Sequence, residues 1–158
     1  MQLIVLVAIF IGLLLPAWWL QAPPARAGIT VEAEYFRVYD GDTIHLYPKD
    51  GRTVKVRLWG INAPELREKC GGLMIGHISR NHLVSLIGNG SVLCTQVRNQ
   101  TSYDRIVAIC KANGQDLGWA MVRDGFAFDW PRYSKGWYHL PQVEAERDGR
   151  GLWGETCP

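Results

Sequence analysis

The sequence contains no C-x-x-C pair, no internal repeat, no low-complexity linker and no large excess of either charge. Without paired-cysteine spacing, the four cysteines do not read as a zinc site. Without a repeat or linker, 158 residues read as one domain rather than a solenoid or a tandem. Net charge is +2; Arg26 falls in the N-terminal apolar segment, leaving 16 basic against 15 acidic residues. A whole-protein basic field is therefore excluded as a reason to expect nucleic acid, and any such reason must be local. His45, His77, His82 and His139 are scattered and form no ligand pattern.

One long apolar run is present, and it lies at the start. L-I-V-L-V-A-I-F-I-G-L-L-L is followed by A-R-A at Ala25 to Ala27, which offers small residues for cleavage. No Lys or Arg precedes the run, and Trp18, Trp19 and Leu20 extend it toward membrane-spanning length. Residues 1–27 are expected to be a cleaved signal peptide, with an uncleaved anchor as the alternative. Either one places residues 28–158 outside the cytoplasm, periplasmic or secreted, where Cys70, Cys94, Cys110 and Cys157 would meet oxidising conditions.

Residues 29–60 are strand-like. I-T-V-E-A-E-Y-F-R-V-Y, T-I-H-L-Y and T-V-K-V-R-L-W are separated by D-G-D and by Lys49-Asp50-Gly51, which predicts a three-stranded antiparallel meander. Residues 73–87 change to a helical period, closed by Gly88-Asn89-Gly90. S-V-L-C-T-Q-V and R-I-V-A-I-C form a second strand pair. A short helix follows Asn113-Gly114, with Asp116 as its N-cap and Gly125 beyond its end. Phe126 to Tyr138 reads as aromatic and irregular, and a last helix runs from Pro141 to Asp148. The fold class is α+β, mainly β: a five-stranded OB-type barrel with about three helices. Cys94 and Cys110 would then face each other across strands four and five, stabilising by roughly 3 kcal/mol if bridged. Cys70 with Cys157 is the remaining pair. Trp59, Trp119 and Trp153 read as core.

Two stretches bear chemistry. In D-G-D-T, Asp40 and Asp42 flank Gly41; the plain reading is a turn in which glycine supplies a positive φ. The alternative is an oxygen-rich cation site. The stretch V-R-L-W-G-I-N-A-P-E, Val56 to Glu65, decides between them. In a meander its end returns toward Asp42, bringing the Asn62 amide oxygen, the Ala63 carbonyl and the Glu65 carboxylate to one pocket. Arg57 on its strand and Arg105 after the polar loop supply two guanidinium forks. Forks converging on a cation pocket suit a phosphodiester, and a carboxylate beside them can activate water.

D-G-D-T-I, V-R-L-x-G-I-x-A-P-E, a tyrosine and arginine at the head of the next hairpin strand, and M-V-x-x-G-x-A together resemble the staphylococcal-nuclease (thermonuclease) family, from about Val31 to Trp153. The resemblance implies a Ca²⁺-dependent phosphodiesterase on an OB barrel, cutting DNA and RNA with little sequence preference. It makes Asp42 a calcium ligand with Asp40 beside it, and puts Asn62 and the Ala63 carbonyl in the same ligand set. It makes Glu65 the general base and Arg57 and Arg105 the phosphate clamps. Tyr103 matches a tyrosine near the nucleotide phosphate, and Tyr133 one that packs beside the base.

Three residues depart from that pattern. Asn62 stands where the family has an aspartate, Asp104 where glycine is usual, and Ser102 where lysine is frequent. Asn62 keeps an oxygen but loses a charge, which predicts weaker calcium binding. The expected substrate is nucleic acid, single-stranded DNA or RNA; no protein partner is evident, and a membrane is a partner only if the N-terminal segment stays uncleaved. A second reading, favoured by Asn62, is an OB module that binds nucleic acid or another anionic polymer without cutting it. A third is an envelope-anchored interaction domain, supported by the apolar N-terminus alone. The aromatic segment, with Arg132 and Lys135, reads either as a base-stacking platform or as packing for the last helix.

Overall fold

The computed structural model describes residues 28–154. The expected export segment, residues 1–27, and Cys157 of the expected Cys70–Cys157 pair lie outside the described residues.

The first β-rich run is two strands rather than one. β1 (Thr30–Ala33) and β2 (Tyr35–Asp40) are separated by Glu34 alone, yet they pair with different partners. β2, β3 (Thr43–Tyr47) and β4 (Val54–Leu58) form the expected antiparallel meander. β5 (Ile61–Asn62) leads away to helix α1 (Ile75–Ile87), and the chain returns as the hairpin β6 (Val92–Ser102) and β7 (Arg105–Ala112). β7 lies parallel to β4, giving the order β1-β6-β7-β4-β3-β2. The two outermost strands of that order are consecutive in sequence, so the sheet must curl until its edges meet at Glu34. That is an OB-like architecture, and the five strands read from the sequence are its main members.

The pattern of side chains explains the curl. Val38, Ile44, Leu46, Val56, Leu58, Val92 and Ala108 alternate inward and are buried. Leu83 and Ile87 of α1 close the interior from one end. Cys94 sits opposite Cys110 in the β6–β7 register and is bridged to it. No described cysteine is free.

The rest of the chain adds to the same core through Leu117, Met121, Val122, Ala127 and Tyr138. Asn113 (φ 51°) and Gly114 (φ 78°) turn β7 into β8 (Gln115–Asp116). Asp116 caps α2 (Leu117–Arg123) by accepting from the Trp119 N–H at 3.1 Å. The segment expected to be irregular contains β9 (Phe128–Asp129), paired with β5, and a four-residue helix α3 (Pro131–Ser134). Pro131 at its first position presets the helical φ, a signal present in the sequence. α4 (His139–Arg147) starts two residues before Pro141, which its first turn tolerates. The helices therefore number four among the described residues rather than about three. Trp59 is core as expected; Trp119 and Trp153 are only partly buried.

Candidate active site

Asp42 is the hub of the site. Its Oδ2 lies 2.7 Å from Arg57 Nη1 and accepts the Ala63 N–H at 2.8 Å. Its Oδ1 accepts from the Thr43 hydroxyl at 3.2 Å. The Thr43 hydroxyl in turn accepts from Arg105 Nη1 at 3.0 Å. Both arginines are thus tied to one carboxylate, Arg57 directly and Arg105 through Thr43. β-Register produces this: Thr43 of β3 stands directly opposite Arg57 of β4.

Asp40 is buried beside Asp42 and accepts the Asp42 N–H at 3.0 Å. Burial pushes the Asp42 carboxyl well above the ordinary carboxylate value; Arg57 pulls it back, and Asp40 pushes it further up. Burial likewise lowers the Arg57 guanidinium, opposed by Asp42, and Arg57 also feels Arg105, Asp40 and Glu65. Glu65 itself is exposed, with its N–H bonded to Glu68 at 3.1 Å.

Gly41 does not supply the positive φ expected of it. Its role is close approach: a Cβ there would lie 1.9 Å from Ser79 Oγ and 2.6 Å from the Ala63 Cβ. Gly76 of α1 does the same for Glu65, since a Cβ there would lie 1.9 Å from the Glu65 carbonyl oxygen. The site loop is thus packed against Gly41 at Ala63 and against Gly76 of α1 at Glu65.

Asn62 is exposed on β5 and its Oδ1 accepts from Arg57 Nη2 at 3.3 Å. Ala63 meets Asp42 through its N–H. Among the described residues no three Asp, Glu, His or Cys side chains gather as a metal cluster.

Arg105 also donates to Ser102, to its carbonyl at 3.4 Å and its hydroxyl at 3.2 Å. Tyr103, at the hairpin tip with φ 57°, is 95% exposed, and its ring lies 6.0 Å from the Arg105 guanidinium. Asp104, which stands beside Arg105 where the family has glycine, is ion-paired with Lys55. Tyr133 packs edge-on against Trp130 at 4.6 Å, and Trp130 lies 5.9 Å from the Arg57 guanidinium. The two rings, with Arg57, Gly60 and Ser102, line a cleft of about 390 Å³. The aromatic segment is therefore divided. Tyr138 is core, Phe126, Phe128 and Trp137 are half-buried, and Trp130 and Tyr133 face the cleft.

The structure brings together Asp40, Asp42, Arg57, Asn62, Ala63 and Arg105, with Glu65 and Tyr103 alongside. Thr43 and Gly76 had no assigned part in the sequence reading, and Trp130 had one only as a ring of the aromatic segment. Thr43 was legible as the last residue of D-G-D-T, and Trp130 as a member of the aromatic run. Gly76 gave no signal, because its partner is a backbone carbonyl.

The family model described as staphylococcal nuclease homologue matches residues 55–155, more than half of the chain. The match takes in Arg57, Asn62, Glu65 and Arg105, and begins after Asp40 and Asp42. An uncharacterized endonuclease of Haemophilus influenzae is 29% identical over 77% of this chain and 66% of its own length. Endonuclease YhcR of Bacillus subtilis is 28% identical over 87% of this chain but 12% of its own. The succinoglycan biosynthesis protein ExoI of Rhizobium meliloti is 28% identical over 73% of this chain and 61% of its own. The chain thus spans about two thirds of the first relative and a small part of the second. With that family match over more than half of its residues, the chain belongs to the staphylococcal nuclease homologue family.

Proposed function

We propose that the chain is a calcium-dependent nuclease that hydrolyses phosphodiester bonds of single-stranded DNA or RNA with low sequence specificity. The observation that supports it most is the linked set Arg57–Asp42–Thr43–Arg105, which ties two guanidinium groups to one carboxylate, with the Glu65 charge felt at Arg57. Two relatives are named endonucleases.

The donor set suits a hard cation: Asp40 and Asp42 carboxylates, the Asn62 amide oxygen and the Ala63 carbonyl. Two aspartate side chains buried side by side support the fit. So few charged donors suit weak binding, with water completing the shell. When bound, calcium would polarise the phosphoryl group and offset its charge.

The chain's own residues do the rest. Arg57 and Arg105 hold the phosphodiester oxygens and stabilise the charge that builds on them. Glu65 takes the proton of the attacking water as its oxygen bonds to phosphorus and one ester P–O bond breaks, the departing oxygen taking a proton from solvent. Tyr103 and Tyr133 flank the nucleotide. Because arginines on phosphate read no base, low sequence specificity follows. The Cys94–Cys110 bridge suits an exported domain. Fusing residues 1–27 to a reporter active only after export tests that; a silent fusion would refute it.

The purified, oxidised domain is expected to digest single-stranded DNA as calcium is added and to stop with chelator. Absence of cleavage at millimolar calcium would sink the enzyme reading. The neutral Asn62, already bonded to Arg57, favours one rival: an OB module that binds nucleic acid or another anionic polymer without cutting it. Retained binding with no cleavage in the same titration would support that rival.

A further inference from the structure

The outward face of β2, β3 and β4 carries Tyr35, Arg37, Tyr39, His45, Tyr47 and Lys55. Strand alternation puts these side chains on the face that also bears Thr43 and Arg57. Register arranges them in rows leading away from the site. Thr43 opposes Arg57; His45 opposes Lys55 on one side and Arg37 on the other; Tyr47 opposes Tyr35. The Tyr39 ring stacks on His45 at 5.8 Å with the planes 13° apart.

The tyrosines and Arg37 are exposed, while His45 and Lys55 are half-buried. Tyr35 is 74% and Tyr39 50% exposed, and Tyr47 is also exposed. Three exposed tyrosines on one small sheet face mark an interaction surface rather than unused core. Arg37 is exposed and makes no ion pair or hydrogen bond among the described residues. Lys55 is paired with the exposed Asp104 at the hairpin tip beside Arg105, a pairing that solvent screens and a phosphate can replace. From the Thr43 row to the Tyr47 row the strand advances about 13 Å, enough for a few extended nucleotides. At the far end Glu32, Glu34 and Lys49 surround a hollow of about 240 Å³ between Tyr35 and Tyr47, with Lys49 paired to Glu34.

We infer that this face is a track for the single-stranded nucleic acid flanking the phosphate held at the active site. Bases stack on Tyr39, Tyr47 and Tyr35, and backbone phosphates meet Arg37 and Lys55. Sequence-tolerant binding of single strands needs this combination of aromatic faces and interleaved cations. A duplex keeps its base faces buried in its own stack and gains nothing from the tyrosines. The inference takes its ligand class from the nuclease reading, while its geometry is independent of the metal and of Glu65.

The test is the affinity of a short, fluorescently labelled oligothymidylate, measured by anisotropy in chelator for the whole domain and for a Tyr39→Ala, Tyr47→Ala double variant. The substitutions are expected to weaken binding about tenfold. An abasic strand of equal length is expected to bind weakly and equally to both. For Arg37→Ala, the slope of log affinity against log salt is expected to fall by about 0.7. Thermal melts matching the unsubstituted domain would show that exposed positions alone were changed. Equal affinity of the two proteins for the oligothymidylate would overturn the inference, as would abasic strands binding as tightly as base-bearing ones. If the domain cuts DNA while the double variant binds unchanged, this track fails and the nuclease reading stands. If it cuts nothing with any calcium concentration yet the variant loses affinity, the nuclease reading fails and the track stands.

Discussion

Arg57 and Asp42 form a buried ion pair, 2.7 Å between Nη1 and Oδ2, with side chains only 12% and 8% exposed. Neither group is cheap to leave alone in that position. Asp42→Ala is expected to lower the unfolding free energy by roughly 3 kcal/mol, read by urea titration in chelator. A loss below about 1 kcal/mol would mean that the pair behaves as a solvated one.

The neutral amide of Asn62 lies 3.3 Å from the same arginine. Replacing it by a carboxylate adds a charged hard-oxygen donor to the pocket. Asn62→Asp is expected to lower the calcium concentration for half-maximal cleavage severalfold. An unchanged calcium requirement would remove Asn62 from the ligand set.

Gly76→Ala should favour helix α1 by propensity, by about 1 kcal/mol. Its new Cβ, however, would lie 1.9 Å from the Glu65 carbonyl oxygen, so the loop between Ala63 and Glu65 must move. The expected result is a fall in kcat by about tenfold or more, with oligonucleotide affinity in chelator kept. Unchanged kcat would show that the contact does not position Glu65.

Asp116 gives a pH dependence to stability. Burial raises its carboxyl above the ordinary value, and N–H groups at the start of α2 pull it partly back. The folded chain therefore binds this proton more tightly than the unfolded one. Stability from this group is present below the unfolded value, near 3.8, and is lost as pH rises through the raised folded value. Asp116→Asn keeps the capping oxygen for the Trp119 N–H. Urea titrations at pH 3.5 to 7 are expected to show the substitution becoming relatively more favourable as pH rises. A constant difference across that range would contradict the assignment.

The meander, the α1 position and the Cys94–Cys110 bridge were legible because alternation, turn residues and spacing act locally. The bend at Glu34 was not, since one unbroken β-rich run gives no sign that its halves take different partners. The pair Asp42 and Arg57 could be placed together by topology alone, because adjacent strands of a meander return to the same end. The use of the Ala63 N–H on Asp42 depends on backbone orientation, which residue types do not encode. The aromatic run fixed what was present but not which rings pointed outward; Trp130 and Tyr133 are separated from Tyr138 by how α3 turns, not by composition.

Glu65 is the residue on which catalysis depends in this account, and Glu65→Gln isolates it, since the amide keeps its size. The decisive measurement is single-turnover cleavage of single-stranded DNA at saturating calcium, with oligonucleotide affinity measured alongside. The account predicts cleavage at least about a hundredfold slower with affinity unchanged. Cleavage at the unsubstituted rate, or cleavage and affinity falling together, would contradict it.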